Sequence, residues 1–231
     1  MSTEKLSRSR RRDDDREIYS QAQILSALSF AFQLSKRESI SAQNIDALCN
    51  MFAYVVDAKS PYTYHHSVRV AETAEGIARH LGMAPECVVR VRRAALLHDI
   101  GKLFIPEAVL HKADGLTPDE LDAMREHASF TEEILRCVGA FNDLATMASR
   151  HHERLDGSGY PRGLKADDLT TEDRVIAVAD FYSAITEDRP YHKAVSHDEA
   201  MAVLDRFVPH KLDAVCVQAL GAVRGDGIHA A

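Results

Sequence analysis

Apolar residues recur at intervals of three and four along most of the chain, which is the spacing of amphipathic helices. One helical stripe begins near Ile18, and Ser41 is a suitable N-cap for a second helix that Pro61 ends. Two more helices are predicted over about 64–81 and 85–99. No segment alternates as a β-strand does, so the pattern predicts an all-α fold.

The second half of the chain continues this pattern. Thr117, Pro118 and Glu120 mark a helix start, with a threonine cap, a proline at the first position and a glutamate three residues after the cap. A loop rich in glycine and proline is predicted over 153–169. Further helical stretches are predicted over about 129–138, 141–151, 174–185, 198–207 and 212–223.

The composition narrows the class of protein. The 231 residues carry a formal net charge of -7, and 45% are hydrophobic but only 6% are aromatic. This favours aliphatic helix packing over an aromatic-rich β-sandwich. The acidic balance argues against binding of duplex nucleic acid, which needs a basic surface. A small anionic substrate stays compatible with it, because a metal or a few local cations can hold a phosphate.

The cysteines and apolar runs bear on where the protein resides. The four cysteines are far apart and form no CxxC pair, which favours reduced thiols. No apolar run approaches the ~20 residues that span a bilayer, and the N-terminus lacks the pattern of a secretory signal. We therefore expect a cytoplasmic protein without a membrane span, in which residues 1–17 are a disordered charged tail.

Several of the twelve histidines lie beside carboxylates in apolar surroundings. His98 and Asp99 end an apolar helix in AALLHDIGKLFIP. His151 and His152 end another in ASRHHERLDGSGYP, and Asp180 lies inside RVIAVADFYSAI. Each feature by itself is commonly a paired core residue or a helix cap, but buried charges are costly unless they are paired or bound to metal. Taken together, the features predict a metal site.

The donors of this predicted site are imidazoles and carboxylates without a thiolate. Such donors suit Fe, Mn, Zn or Mg rather than a structural zinc site of the cysteine type. Consecutive helical residues point about 100° apart, so His98 and Asp99 can face two ions, with the carboxylate able to bridge them.

Four stretches then resemble one family in order and spacing: SPYTYHHSVRVAE, AALLHDIGKLFIPEAVLHK, HHERLDGSGYPRGL and RVIAVADFYSAITEDRPYHKA. They resemble the HD-GYP family of cyclic di-GMP phosphodiesterases, a branch of the HD superfamily of metal phosphohydrolases. The resemblance covers about Ser60 to Ala194. It implies an HD-domain helical bundle with a di-metal site in its core, an HD-GYP domain over 61–225 and an N-terminal helical extension over 18–60.

The family's roles transfer to matching positions of this chain. Asp99 corresponds to the bridging carboxylate, and Lys102 to a lysine beside the metals that can meet a phosphate oxygen, so these two are the expected catalytic residues. His66 rather than His65 is the expected ligand, because His66 has the family's phase relative to the SVRV run. The metal ligands that the resemblance implies are His66, His98, Asp99, His127, His151, His152 and Asp180.

This chain departs from the family at three positions. Ala128 follows the fourth ligand, His127, where the family usually has proline, and Leu155 replaces its commonest tryptophan. Tyr62 stands where some members have a glutamate and hold three metals. We therefore expect two divalent transition metal ions, and the nitrogen and oxygen donors favour iron or manganese.

The glycine-rich loop that contains the GYP signature is expected to form a wall of the substrate pocket, although a plain surface loop is the alternative. Arg189 is a candidate phosphate clamp, Arg162 is expected to reach a second phosphate, and Gly159 is expected to have an unusual backbone angle. The loop should govern substrate choice more than chemistry. The expected substrate-binding residues are Lys102, Gly157, Gly159, Tyr160, Arg162 and Arg189.

The resemblance implies hydrolysis of cyclic di-GMP to linear pGpG and onward to GMP. One alternative is hydrolysis of another cyclic dinucleotide, such as cyclic GMP-AMP, or of a nucleotide. Another is a signalling module that docks diguanylate cyclases or adaptor proteins. Separately, residues 18–60 are expected to be a helical extension of the core, a dimer surface or a partner site. No expected ligand position is substituted, which favours retained chemistry.

Overall fold

Nine α-helices and no β-strand make up the described part of this computed structural model, which describes residues 41–59, 65–112, 114–188 and 193–225. The predicted all-α fold is confirmed. The helices are α1 Ala42–Lys59, α2 His66–His80, α3 Pro85–Leu97, α4 Glu107–Leu110, α5 Pro118–Arg136, α6 Asn142–Ser149, α7 Thr171–Thr186, α8 His197–Asp205 and α9 Ala214–Gly225. Three 3-10 helices connect them, at Ile100–Phe104, Gly139–Phe141 and Ala166–Asp168.

Helix α2 lies at the centre of the bundle and packs against α3, α7 and α9. It buries one face made of small and aliphatic side chains, which lets its neighbours approach closely. Helix α7 is buried along most of its length, as expected for its run of apolar residues around Asp180. The first residue of α2 and the middle of α7 therefore meet in the interior.

Helix α1 shares this core. Phe52 and Val56 are buried in the same apolar cluster as residues of α2 and α3, and the ring of Phe52 meets that of Phe141 edge to face at 6.2 Å. Ser41 accepts a hydrogen bond from the backbone N–H of Asn44, as expected of an N-cap. The part of the expected N-terminal extension that the structure describes thus packs with the bundle.

The helix start predicted at Thr117 is present as a capping box. The Thr117 hydroxyl accepts from the Glu120 N–H at 3.3 Å, and the Glu120 carboxylate accepts from the Thr117 N–H at 2.7 Å. The separate helical stretch predicted over 129–138 is wrong in its start, because α5 runs unbroken for 19 residues. No glycine or proline interrupts the chain between Asp119 and Arg136, so nothing ends the helix earlier.

Several expectations lie outside the described residues. They concern the tail over 1–17, the helix from Ile18, Tyr62 and Arg189. Within the described ranges, no helix combines the length and the apolar character that crossing a bilayer requires.

Candidate metal centre

The seven expected metal ligands converge from five parts of the fold. His66 is the first residue of α2, and His98 and Asp99 follow the end of α3. The other four come from α5, from the turn after α6 and from α7. All seven are buried except His152, which is half-buried, and they are His66, His98, Asp99, His127, His151, His152 and Asp180. His65 contacts the ring of Tyr54 instead.

Among the described residues, three groups of side chains present donor atoms close enough to hold a metal ion. Two of them share no residue, and the third, made of His98, Asp99 and His151, connects them. The first contains His66, His98 and Asp180, with Asp180 Oδ1 lying 3.4 Å from His66 Nε2 and 3.7 Å from His98 Nε2. The second contains His127, His151 and His152, with the Nε2 atoms of His127 and His151 3.1 Å apart. The second group consists of imidazoles alone.

Asp99 lies between the two groups. Its Oδ2 is 3.3 Å from His98 Nε2, while its Oδ1 is 3.5 Å from His127 Nε2 and 3.9 Å from His151 Nε2. One carboxylate oxygen therefore faces each group. Asp180 makes a second connection, because its Oδ2 is 3.5 Å from His152 Nδ1.

The ring orientations of three histidines are fixed by the same contact. Nδ1 of His98, His127 and His151 each donates to the backbone carbonyl three residues earlier, at 2.7 Å in every case. Because a carbonyl only accepts, each ring carries its proton on Nδ1 when it is in the neutral form that binds metal. The lone pair of Nε2 is thereby left to face the centre, which is how ligand histidines are commonly oriented.

Two atoms at the centre test whether a metal fits. His98 Nε2 and Asp99 Oδ1 are buried and have no hydrogen-bond partner among the described residues. A buried polar atom without a partner costs about 1–3 kcal/mol. A divalent cation would satisfy a nitrogen lone pair and a carboxylate oxygen at once. The site is thus able to hold metal, in agreement with its donors.

The protonation of the ligands follows from burial and neighbouring charge. Burial lowers the pKa of His127 to about 4 and holds the pKa of His151 and of His152 well below the ordinary value. Burial by itself would raise the pKa of Asp99, but the charges of His98 and Lys102 outweigh it and keep that pKa well below its usual range. The second group therefore offers neutral imidazoles beside an ionised carboxylate, as metal binding requires.

The 3-10 helix that carries Lys102 lies very close to α5. A Cβ on Gly101 would collide with the backbone carbonyl of His127, so only glycine fits there. The Gly101 N–H donates to the Thr131 hydroxyl at 3.0 Å, and that hydroxyl donates to the His98 carbonyl at 2.9 Å. Lys102 Nζ is 2.5 Å from Asp99 Oδ2, and its side chain is 19% exposed, so it reaches both the carboxylate and the solvent side.

Four residues that the sequence did not single out support the centre. Glu187 accepts a hydrogen bond from His66 Nδ1 at 3.0 Å. Asp57 accepts hydrogen bonds from the backbone N–H and the hydroxyl of Ser67, the residue that follows His66. Lys59 Nζ donates to three backbone carbonyls around Lys102. The sequence contains a signal that could have identified Asp57 and Lys59, because both are charged residues that follow an apolar run at the end of α1.

The fourth of these residues, Glu153, ties the glycine-rich loop to the centre. It follows directly from His152 and is buried, and its carboxylate accepts from the N–H groups of Arg162 at 2.7 Å and Leu164 at 2.9 Å. The ring of Tyr160 lies 4.7 Å from that of His152, measured between centroids. The loop thus packs on the second histidine group.

The reason for glycine at position 159 differs from the expected one. Positive φ angles occur at Gly157 and Gly163, at 80° and 63°, but not at Gly159. A Cβ at Gly159 would lie 2.5 Å from His152 O and from Glu153 Cα. The unusual backbone angle expected at Gly159 is therefore wrong, and close approach to the turn that bears His152 requires the glycine instead.

The Arg162 side chain, expected to reach a substrate phosphate, is engaged elsewhere. Its guanidinium forms an ion pair with Glu132 on α5. Glu132 also pairs with Arg136 at 2.6 Å and accepts from the Ser149 hydroxyl at 3.2 Å. In this structure Arg162 therefore connects the loop to α5.

The chain is similar to known proteins over more than half of its length. The sequence model of the HD domain family matches residues 50–215. The 3'3'-cGAMP-specific phosphodiesterase 3 of Vibrio cholerae is 43% identical over 176 residues, which cover 76% of this chain and 38% of that protein. The cyclic di-GMP phosphodiesterase response regulator RpfG of Xanthomonas campestris is 41% identical over 156 residues, covering 66% of this chain and 41% of that protein. This chain thus spans about two fifths of the length of these curated relatives.

Solved structures with the same fold include the cyclic GMP-AMP specific phosphodiesterase V-cGAP3 of V. cholerae. It matches with a TM-score of 0.52 and 36% identity, covering 80% of this chain and 42% of that one. Bd1817, an HDG"Y"P protein from Bdellovibrio bacteriovorus, matches with a TM-score of 0.62 at 18% identity. The match covers 92% of this chain and 74% of the Bd1817 chain, and it supports the fold. The family match extends over more than half of the residues and includes all seven expected ligands. The chain therefore belongs to the HD domain family, as its resemblance to the HD-GYP branch predicted.

Proposed function

We propose that this chain is a metal-dependent phosphodiesterase that hydrolyses a cyclic dinucleotide, with cyclic di-GMP opened to linear pGpG and then cleaved to GMP. The observation that supports this most is the position of Asp99, which turns one oxygen toward each group of histidines. Such an arrangement suits two cations held side by side, and paired cations are a common means of cleaving phosphodiesters.

The proposed cofactors are two divalent transition metal ions, iron or manganese. His66, His98 and Asp180 would hold one ion, His127, His151 and His152 would hold the other, and Asp99 would bridge them. Imidazole and carboxylate donors without sulfur suit these metals. When bound, the ions supply an activated water and withdraw charge from the phosphoryl oxygens.

The chain's own residues would bind and orient the substrate. In the proposed reaction a water oxygen forms a bond to phosphorus while the bond from phosphorus to the ribose 3′ oxygen breaks, and the departing oxygen takes up a proton. Lys102 lies beside Asp99 with its ammonium partly exposed, so it can offset negative charge that grows on the phosphoryl oxygens. Tyr160, Gly157 and Gly159 belong to the loop against His152, where a base or ribose could lie.

Cyclic GMP-AMP is the second candidate substrate. The observation that favours it is the 43% identity to a V. cholerae protein named as specific for 3'3'-cGAMP. Cyclic di-GMP is favoured in turn by the Xanthomonas relative at 41% identity. The two substrates share the ribose and phosphate ring and differ in one base, so the metal centre would treat them alike and the pocket walls would discriminate.

A role in docking protein partners is the alternative from another class. Its candidate partners are diguanylate cyclases and adaptor proteins, and a homodimer through 18–60 belongs to the same proposal. The complete set of ligands favours hydrolysis over a module that has lost its chemistry.

The experiment that tests the proposed function combines metal analysis and hydrolysis on one anaerobic preparation. The substrates are cyclic di-GMP, 3'3'-cGAMP, linear pGpG and bis(4-nitrophenyl) phosphate. Hydrolysis of a cyclic dinucleotide that depends on added Fe²⁺ or Mn²⁺ supports the proposal. A preparation that binds metal yet leaves both cyclic dinucleotides intact contradicts it and favours the docking role.

A further inference from the structure

Arg125 of α5 lies against the loop that covers the second histidine group. Its guanidinium carbon is 5.7 Å from the centre of the Tyr160 ring, within the range of a cation–π contact. The Arg125 side chain is 48% exposed, so its remaining donors face water. No sequence motif marks Arg125, which lies among other charged residues of α5.

Tyr160 connects this cation to the metal centre. The Tyr160 ring centre is 4.7 Å from that of His152 and 6.2 Å from that of His127. The Arg125 guanidinium carbon therefore lies within about 10 Å of the His152 ring. A ligand larger than a single phosphate can span that distance, whereas a small phosphodiester held at the metals cannot.

A cyclic dinucleotide has a second phosphate that a cation at such a position can bind. It carries two phosphodiester groups on opposite sides of one small ring, and only one of them can be at the metals during a cleavage. The other keeps its negative charge beside the site. Arg162, the first candidate to meet it, is ion-paired with buried Glu132, and breaking that pair would leave the carboxylate without one of its cations.

The only carboxylate within ion-pair distance of Arg125 among the described residues is Asp122, at 3.1 Å. Asp122 is 74% exposed and stands one helical turn away, so the pair is a weak surface contact that a phosphate can replace. The planar guanidinium offers two parallel donors that match two phosphate oxygens.

We propose that Arg125 binds the non-reacting phosphate of the cyclic dinucleotide, with Tyr160 holding its guanidinium beside the second histidine group. This inference rests on the proposed function. It makes Arg125 a specificity residue that favours substrates with two phosphates over simple diesters. Arg125 then takes the role that the sequence suggested for Arg162.

The test compares two substrates in Arg125→Gln, with Arg79→Gln as the control. Arg79 is also an exposed helical arginine in an ion pair, with Glu75, but it lies near the far end of α2, about 20 Å from His66 by the helical rise. We expect Arg125→Gln to raise KM for cyclic di-GMP about tenfold or more with kcat little changed, as for loss of a charged hydrogen bond made in the ground state. Its kcat/KM for bis(4-nitrophenyl) phosphate should stay within about twofold of wild type. Arg79→Gln should change neither, and Arg125→Lys should recover part of the loss.

Two results would overturn the inference. An equal fall for both substrates would mean that Arg125 only holds Tyr160 against the histidines. Unchanged KM for cyclic di-GMP would mean that the second phosphate is bound elsewhere. Should the metal-loaded wild type hydrolyse no cyclic dinucleotide, the proposed function fails separately. Equilibrium binding of cyclic di-GMP to wild type and Arg125→Gln then decides the inference, with equal affinity contradicting it.

Discussion

Glu187 accepts a hydrogen bond from Nδ1 of His66 at 3.0 Å, although the two residues are 121 positions apart in the sequence. The contact joins the end of α7 to the start of α2 and leaves His66 Nε2 facing Asp180. A carboxylate in this position fixes the ring and increases its basicity as a ligand. Glu187 is therefore a positioning residue for the first group of ligands.

Replacing Glu187 by alanine should weaken metal binding at the first group by about 10–100-fold, the usual cost of losing such a partner. Glu187→Gln should cost less, since its amide oxygen can still accept from Nδ1. Affinity is measured by competition with a chelator for Mn²⁺. Glu133→Ala, on the exposed face of α5, is the control. Equal affinity in Glu187→Ala and Glu133→Ala would show that the contact does not serve the metal.

The pH dependence of the metal-free protein should reflect His66. Burial by itself would lower the pKa of His66, but hydrogen bonds to Asp180 and Glu187 outweigh it and raise the pKa to about 9. The unfolded chain releases this proton near pH 6.5. The resulting stabilisation is full below that pH and is lost as pH rises through about 9.

This dependence is measured as the Tm of the chelator-treated protein, which should fall between pH 6.5 and 9. The affinity for Mn²⁺ should rise over the same window, because the metal replaces the proton. In Glu187→Gln both changes should move to lower pH. An identical pH window in the variant would disprove the assignment to His66.

Substitutions of Asp99 and Lys102 should both lower turnover, but only the Asp99 substitution should also lower the metal content. Asp99→Ala should lose both, since it removes a charge that faces both groups of ligands. Lys102→Ala should retain metal and lower kcat by about 10²–10³-fold, as expected for loss of a group that stabilises developing charge. Lys112→Ala, which breaks a surface pair with Glu120, is the control. Equal metal loss in Asp99→Ala and Lys102→Ala would make Lys102 a structural residue.

Gly159→Val should impair the centre itself and not substrate choice alone. The added Cβ would lie 2.5 Å from His152 O and Glu153 Cα, so the turn that holds a ligand must move. We expect kcat/KM for cyclic di-GMP and for bis(4-nitrophenyl) phosphate to fall together, with a loss of bound metal. Selective loss of the dinucleotide, with metal retained, would instead support a loop that only reads the substrate.

Local sequence signals predicted much of the fold, and long-range contacts explain what they missed. The cap at Thr117 and the apolar surroundings of Asp180 are encoded within a few residues, so both were visible in the sequence. The ion pair between Arg162 and Glu132 joins residues 30 positions apart, and no local sequence pattern predicts it. The close approach at Gly159 likewise depends on how the loop folds back on the turn at His152, and the sequence shows only that a glycine is present.

We propose that Asp99 and two groups of ligands would hold two metal ions. The first group is His66, His98 and Asp180, and the second is His127, His151 and His152. The most direct measurement is anaerobic reconstitution with Fe²⁺ or Mn²⁺, followed by metal analysis and a cyclic di-GMP hydrolysis assay on the same sample. We expect about two equivalents of metal per chain and hydrolysis that appears with the metal and vanishes with a chelator. Protein that binds no metal after reconstitution, or that hydrolyses the substrate equally well without metal, would show that these residues do not form a catalytic metal centre.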